Sequence, residues 1–423
     1  MNTRLLKLKN DLKKKNIDAI LVSSVPNITY LTGYSGFSKE EREALLLITA
    51  NKQYILTDKR YVEELRHVIL ATQSEAWRRP ESSPQKDSGV LPWPSQGSPQ
   101  NDGITFELVE VSSSIPFRIA LEKLIKKHKI KKLGIEEDNL TIVEYKSLKR
   151  CSIDLNHWSM ASLRAVKEND EIKVIEKACE MTDKTFEYIL TKIKPGITER
   201  ELAFEIEFFI KKNGGNLAFP SIVAFGKNSA VPHHKTSNYK SLTKNRHAEF
   251  ISASPKILNQ VQNNKNGNIV LLDFGAKVND YCSDMTRVVF LGKATDEQKM
   301  VYKTVLEAQK RALDFLNRDH PYQARIGMIP AKNADKAAHD YIRSKGFGKN
   351  IFHSLGHGVG LEIHEAPRLS AKSKEILKPG MVFTIEPGVY LPDKFGVRIE
   401  DTVVLEKSGL RLLTRSPKTL IEL

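Results

Sequence analysis

Cysteine is scarce in this 423-residue chain, and the three present, Cys151, Cys179 and Cys282, are widely separated and odd in number. That argues against a disulfide framework and fits a reducing compartment. Also missing is any run of about 18 apolar residues, the length that a membrane-spanning helix needs. The N-terminal MNTRLLKLKNDLKKKN reads as a basic amphipathic helix without the apolar core of a signal peptide. A soluble, cytoplasmic protein with no membrane partner is expected. The formal charge of +15 invites a nucleic-acid reading, but no zinc finger or aromatic-interleaved RNA motif accompanies it. The densest basic cluster, EKLIKKHKIKKLG, reads as a solvated helix face, so no nucleic-acid partner is expected.

What is present divides the chain in two, as its length leads one to expect. The first part alternates strand patterns (DAILVSS, LLLIT, QYILTD, ITFELVEV, KKLGIEED) with helical ones and contains no nucleotide-binding loop. Such alternation predicts an α/β domain with a mixed sheet over residues 1–158. The second part, 159–423, opens on a long helix whose Ile172, Ile175, Cys179, Thr182, Phe186 and Ile189 recur at spacings of three and four. On that stripe Cys179 reads as a core thiol. Thr198 with Glu201, and Thr295 with Gln298, have capping-box spacing at the starts of two further helices. Gly214 can end the first, and Val301, Val305, Ala308, Ala312 and Phe315 form the buried stripe of the second.

Two stretches fit neither pattern. Residues 73–103 are rich in Pro, Ser, Gln and Gly and carry an imperfect repeat, SPQKDSG against SPQNDG. Residues 246–265, RHAEFISASPKILNQVQNNK, separate a PHH motif from the strand that begins NIVLLDFGA. Both are expected to be mobile, exposed excursions.

The chemistry lies between Asn268 and Asp401. NIVLLDFGAKVNDYCSDMTRVVFLG reads as a hairpin that brings Asp273 and Asp284 onto neighbouring strands. MVFTIEPGVYLPDKFGVRIED repeats the design with Glu386 and Glu400, around a turn containing Pro392, Asp393 and Gly396. Between them FHSLGHGVGLEIHE supplies His353, His357 and His364. Carboxylates at the ends of apolar strands are costly to bury without a cation. Four carboxylates and an imidazole suit Mn, Co, Fe or Zn and are enough to bridge two ions.

LLDFGA, SDMTR, SLGHGVGLEIHE, TIEPGVY and VRIED, in this order, resemble the dinuclear metallopeptidases of the pita-bread fold, in the Xaa-Pro aminopeptidase and Xaa-Pro dipeptidase (prolidase) branch. The resemblance covers nearly the whole chain outside these two stretches, and it implies that both are insertions. It implies a creatinase/aminopeptidase P-type N-terminal domain that shapes the active-site entrance, and a pseudo-two-fold α+β pita-bread catalytic domain. It further implies two divalent ions per subunit, manganese first with cobalt or zinc as alternatives. Asp273 would chelate one ion, Asp284 and Glu400 would bridge both, and His357 with Glu386 would complete the other. A bridging hydroxide would be the nucleophile, with Glu386 exchanging its proton. His364 matches the histidine that stabilises the tetrahedral intermediate, His233 of AVPHHKTSN the substrate-side histidine, and His353 a position lining the cavity. The neighbouring His234 is left outside the site. Arg398 either contacts substrate or orders the metal-ligand shell. The implied substrates are peptides with proline at the second position, and the implied assembly is a homodimer. Removal of an N-terminal residue before proline is the first expectation, and a strict Xaa-Pro dipeptidase is the alternative that the motifs do not separate from it. An inactive binding module of the same fold is disfavoured because all five ligand positions are filled. Methionine aminopeptidase is disfavoured by the presence of the N-terminal domain.

Overall fold

The structure is a computed structural model that describes residues 2–71, 106–241, 268–317 and 329–423. The stretches 73–103 and 246–265, expected to be insertions, lie outside the described residues. The chain forms two compact units, Met1–Arg164 and Ala165–Leu423.

In the first unit a six-stranded sheet runs in the order Phe106–Val111, Gln53–Asp58, Ala44–Thr49, Ala19–Val22, Lys132–Ile135, Asp154–His157. Its pairings are parallel and antiparallel, so the sheet is mixed. Alternate strand residues such as Leu21, Leu45, Leu47 and Leu56 bury against Leu121, Leu124 and Ile125 of the helix Phe117–Lys127. The edge strand Asp154–His157, of sequence DLNH, had no apolar alternation to reveal it, and two of its four residues are exposed. Between the first two strands in chain order lies the helix Val25–Thr32, which Gly33 ends at φ 75°.

The second unit contains two helix pairs and two main sheets. Helices Asn169–Leu190 and Glu199–Lys212 pack Phe186, Ile189, Leu202, Ile206 and Ile210 on Val270, Leu272, Phe274 and Val289 of a four-stranded sheet. Helices Asp296–Asn317 and Ala331–Ser344 pack Val301, Val305, Ala308, Ala334 and Ala338 with Phe383, Ile385, Val403 and Leu405 of a five-stranded sheet. This repeat of helix pair over sheet fits the pseudo-symmetric pita-bread architecture. Every residue of the Ile172-to-Ile189 stripe is buried. The Thr198–Glu201 box closes in both directions, and so does Thr295 with Gln298. The long opening helix is broken: a short turn, Ala161–Ala165, stops where Val166 bridges Met381, and the main helix restarts behind a Glu168–Glu171 box. Among the described residues no helix is long and apolar enough to cross a membrane.

Both expected hairpins form. Asn268–Phe274 pairs antiparallel with Met285–Leu291, and the chain between them turns through Asn279 and Asp280, both at positive φ. A two-residue turn of that hand matches the natural twist of a hairpin. Gly388–Leu391 pairs with Phe395–Arg398 around Asp393 at φ 61°. Beside them, Gly356 lies so close to the neighbouring strand that a Cβ there would sit 2.1 Å from the Thr384 carbonyl oxygen. A backbone atom in a paired strand has little room to yield. Gly356→Ala is therefore expected to cost at least about 2 kcal/mol by overpacking, read as a lowered thermal midpoint; an unchanged midpoint would show that this strand is freer than its pairing suggests.

Candidate metal centre

Strand periodicity delivers the acids. Ile269 and Leu271 face one core, and Asp273 continues their face at the strand end. Val288 and Phe290 share that core, and counting back by twos along their strand reaches Thr286 and then Asp284. In the other sheet, Phe383 and Ile385 point into the core while Thr384 and Glu386 fall on the alternate face. The same alternation sets Glu400 and Thr402 against Val403 and Leu405.

Asp284, His357 and Glu400 each direct a ligand atom into one cluster, all within 4.8 Å of one another. His357 Nε2 lies 3.6 Å from Asp284 Oδ2 and 3.3 Å from Glu386 Oε1. Its Nδ1 is 3.1 Å from the Gly358 carbonyl, an acceptor that places the imidazole proton there. Nε2 then presents a lone pair towards two carboxylates, an arrangement that a bound cation, or a proton on one of the acids, makes favourable. Asp284 Oδ1 is buried and has no hydrogen-bond partner among the described residues. An orphaned carboxylate oxygen in a nest of acids is the remaining ligand atom that a metal would take, so the donor set fits divalent ions.

Electrostatics agree. Burial, then the charges of Glu400, Asp273 and Glu386, push Asp284 well above the usual carboxylate range. Burial and then Glu386 and Asp273 do the same to Glu400. Glu386 is pushed up to about 7, chiefly by burial, with Arg398 opposing. Burial lowers His357, and lowers His364 with help from the His357 charge.

A ring of donors fixes these acids. Arg398 Nη2 donates to Asp273 Oδ2, its Nε donates to Thr286 Oγ1 at 2.9 Å, and that hydroxyl donates to Glu400 Oε2 at 2.7 Å. Thr384 Oγ1 accepts from the His357 amide and donates to Glu386 Oε1 at 3.0 Å. Arg398 thus contacts two of the ligand candidates, Asp273 directly and Glu400 by way of Thr286. Its Nη1 also donates to Tyr390 Oη at 2.6 Å, and Tyr390 lies 2.7 Å from His353 Nε2. With His353 Nδ1 on the Ser354 carbonyl at 2.9 Å, both nitrogens of that histidine are engaged, and burial holds it down at about 3.

His364 packs edge-on to His357, ring centroids 4.3 Å apart, and is itself exposed. His233 is exposed as well, and its charge acts on His353, His364 and Glu386. His234 instead turns to Glu199, at 2.9 Å. Cys179 is fully buried, where burial raises its thiol well above the usual value. Sequence reasoning missed Thr286, Thr384, Tyr390 and Thr402. The three threonines each lie two residues from a site carboxylate, on the same strand face, and that spacing was a usable signal.

Comparison with known proteins adds independent findings. The profile of Metallopeptidase family M24 matches residues 173–407, and that of the Creatinase/Prolidase N-terminal domain matches 4–166. The Xaa-Pro dipeptidase of Pyrococcus horikoshii is 32% identical over 100% of this chain and 99% of its own. Among solved structures, an Xaa-Pro dipeptidase from Bacillus anthracis superposes with a TM-score of 0.78 at 32% identity, covering 100% of this chain and 99% of that one. An X-Pro aminopeptidase from Thermotoga maritima gives 0.72 at 29% identity, covering 96% and 98%.

The raised carboxyls make a signed prediction for the metal-free protein. A group whose pKa is higher folded than unfolded contributes stability below its unfolded pKa and loses it as pH rises through its folded pKa. Burial lifts Glu386 to about 7, while the lowered His353, His357 and His364 act in the opposite direction only below the ordinary histidine value of 6.5, so the metal-free thermal midpoint should fall between pH 6.5 and about 8. Loading divalent metal should flatten that fall and release protons into weakly buffered solution. A metal-free midpoint that rises over this range would overturn the crowded-acid account. At a single position, Asp284→Asn is expected to leave the fold intact while metal analysis shows lost binding and turnover drops by at least about 100-fold; normal metal content would remove Asp284 from the ligand set.

Proposed function

The chain belongs to metallopeptidase family M24, and on that premise we propose that it is a strict Xaa-Pro dipeptidase with two divalent ions held by Asp273, Asp284, His357, Glu386 and Glu400. The observation that carries the site is the convergence of His357 Nε2 with Asp284 and Glu386 oxygens at 3.6 and 3.3 Å. Sequence reasoning put the aminopeptidase first. The names of the Pyrococcus horikoshii and Bacillus anthracis relatives favour the dipeptidase, with the Thermotoga maritima protein keeping the aminopeptidase as second reading.

Bound divalent ions supply Lewis acidity and acidify water near neutral pH; manganese is proposed first, cobalt or zinc next. The protein's own groups do the rest. Glu386, fixed by Thr384, would take a proton from water and pass it to the leaving nitrogen. His364 and His233, exposed beside the cluster, are placed to donate hydrogen bonds to the carbonyl oxygen as it gains charge. His353 is better suited to holding Tyr390 than to moving protons, because both its nitrogens are engaged. Arg398 holds Asp273 and keeps Tyr390 in place.

A proline nitrogen in peptide linkage has no hydrogen to donate, so a site built for it needs no backbone acceptor at that point. Xaa-Pro dipeptides are expected to be cleaved at least about tenfold faster than Xaa-Ala dipeptides, and faster than tripeptides beginning Xaa-Pro. Faster turnover of the tripeptides would restore the aminopeptidase, and equal rates on Xaa-Ala would indicate a broad peptidase.

A further inference from the structure

The loop that carries His233 is short of regular structure, and one side chain gathers it. Glu199, the first residue of its helix, is 0% exposed. Its Oε1 accepts from the Phe225 amide at 2.9 Å and from Asn228 Nδ2 at 2.8 Å. Its Oε2 accepts from His234 Nε2 at 2.9 Å, the Ser237 amide at 3.0 Å and Ser237 Oγ at 2.7 Å. Two backbone bonds reinforce the attachment, Glu199 N–H to the Tyr239 carbonyl and Arg200 N–H to the Ser237 carbonyl, each at 3.0 Å. On the other side of His233, Arg398 Nη1 donates to the Pro232 carbonyl at 3.3 Å. His233 is thus suspended between two clamps, one of which also holds the metal-ligand candidate Asp273.

A helix-terminal acid usually does no more than favour the helix dipole from the surface. Glu199 differs, because the Thr198–Glu201 box already caps this helix and the Glu199 carboxylate is spent on five donors outside it. Burial alone would raise its pKa, yet those donors outweigh burial and hold it below the usual range. The clamp also explains why, of two adjacent histidines, only one is available: the His234 ring is committed to Glu199.

We propose that Glu199 is a positioning residue, fixing the 232–237 loop through His234 and Ser237 so that the His233 imidazole meets the substrate carbonyl. The inference rests on the substrate-side role given to His233 above. Because Glu199 acts through His233, its effect should vanish when His233 is absent. The test is a double-mutant cycle on Xaa-Pro dipeptide hydrolysis, with metal content measured for every variant. Glu199→Gln turns an N–H group towards N–H and O–H donors, and is expected to lower kcat by about 10- to 100-fold through misplacement with metal content retained. Combined with His233→Ala it should be no worse than His233→Ala alone.

Should Glu199→Gln not fold, His234→Ala and His234→Gln carry the test: the alanine should lower kcat and the glutamine, whose amide still donates to Glu199, should restore it. Losses from Glu199→Gln and His233→Ala that multiply, or an unimpaired His234→Ala, would overturn the clamp while leaving the peptidase reading intact. An unimpaired His233→Ala would instead defeat the substrate-side role itself, and the clamp with it.

Discussion

The catalytic unit is organised around a repulsion that the folded chain does not remove by itself. Asp284 and Glu400 are 4% and 2% exposed, and both feel Asp273 and Glu386 as like charges. Withdrawing a carboxylate from water costs on the order of several kcal/mol unless a partner compensates. Arg398 reaches Asp273 and, by way of Thr286, Glu400, but one guanidinium cannot neutralise four acids. The remaining deficit is met either by protons or by divalent cations. Stability, metal affinity and chemistry therefore share one source.

How these acids come together was largely legible in the sequence, because strand periodicity is local. Asp273 follows Ile269 and Leu271 at intervals of two, so its face was fixed once those residues were assigned to a core. The buried helix stripe from Ile172 to Ile189 and both capping boxes follow the same logic, since each is a pattern within one turn or a few. The strand Asp154–His157 was invisible for the converse reason: its hydrogen bonds come from Lys132–Ile135, some twenty residues away, and its own side chains carry no alternation. The break at Val166 likewise depends on a distant partner, Met381.

Within the site, the ligand candidates could be read because acids at strand ends are anomalous, whereas the residues that hold them look ordinary. Thr286, Thr384 and Thr402 are unremarkable members of β-strands until their hydroxyls are seen against carboxylates and backbone. The division between His233 and His234 is similar. The motif match set His233 apart from His234, but the physical difference lies in the buried carboxylate of Glu199, more than thirty positions earlier, to which the His234 ring is committed.

The threonines also answer how two sheets present one site. Thr286, beside Asp284 on the first hairpin, donates its hydroxyl to Glu400 of the second, and the Glu400 amide returns to the Thr286 carbonyl at 3.2 Å. Thr402, beside Glu400, reciprocates: its hydroxyl donates to the Asp284 carbonyl at 2.8 Å and accepts from the Asp284 amide at 3.3 Å. Behind this exchange, Arg287 donates to the Glu400 carbonyl and to Asp401 at 2.6 Å, with both side chains 1% exposed. Each acid is thus held by the strand of the other. A displacement of one sheet against its neighbour would have to break all of these bonds together, so the spacing between Asp284 and Glu400 is set by backbone and hydroxyls before any ion arrives.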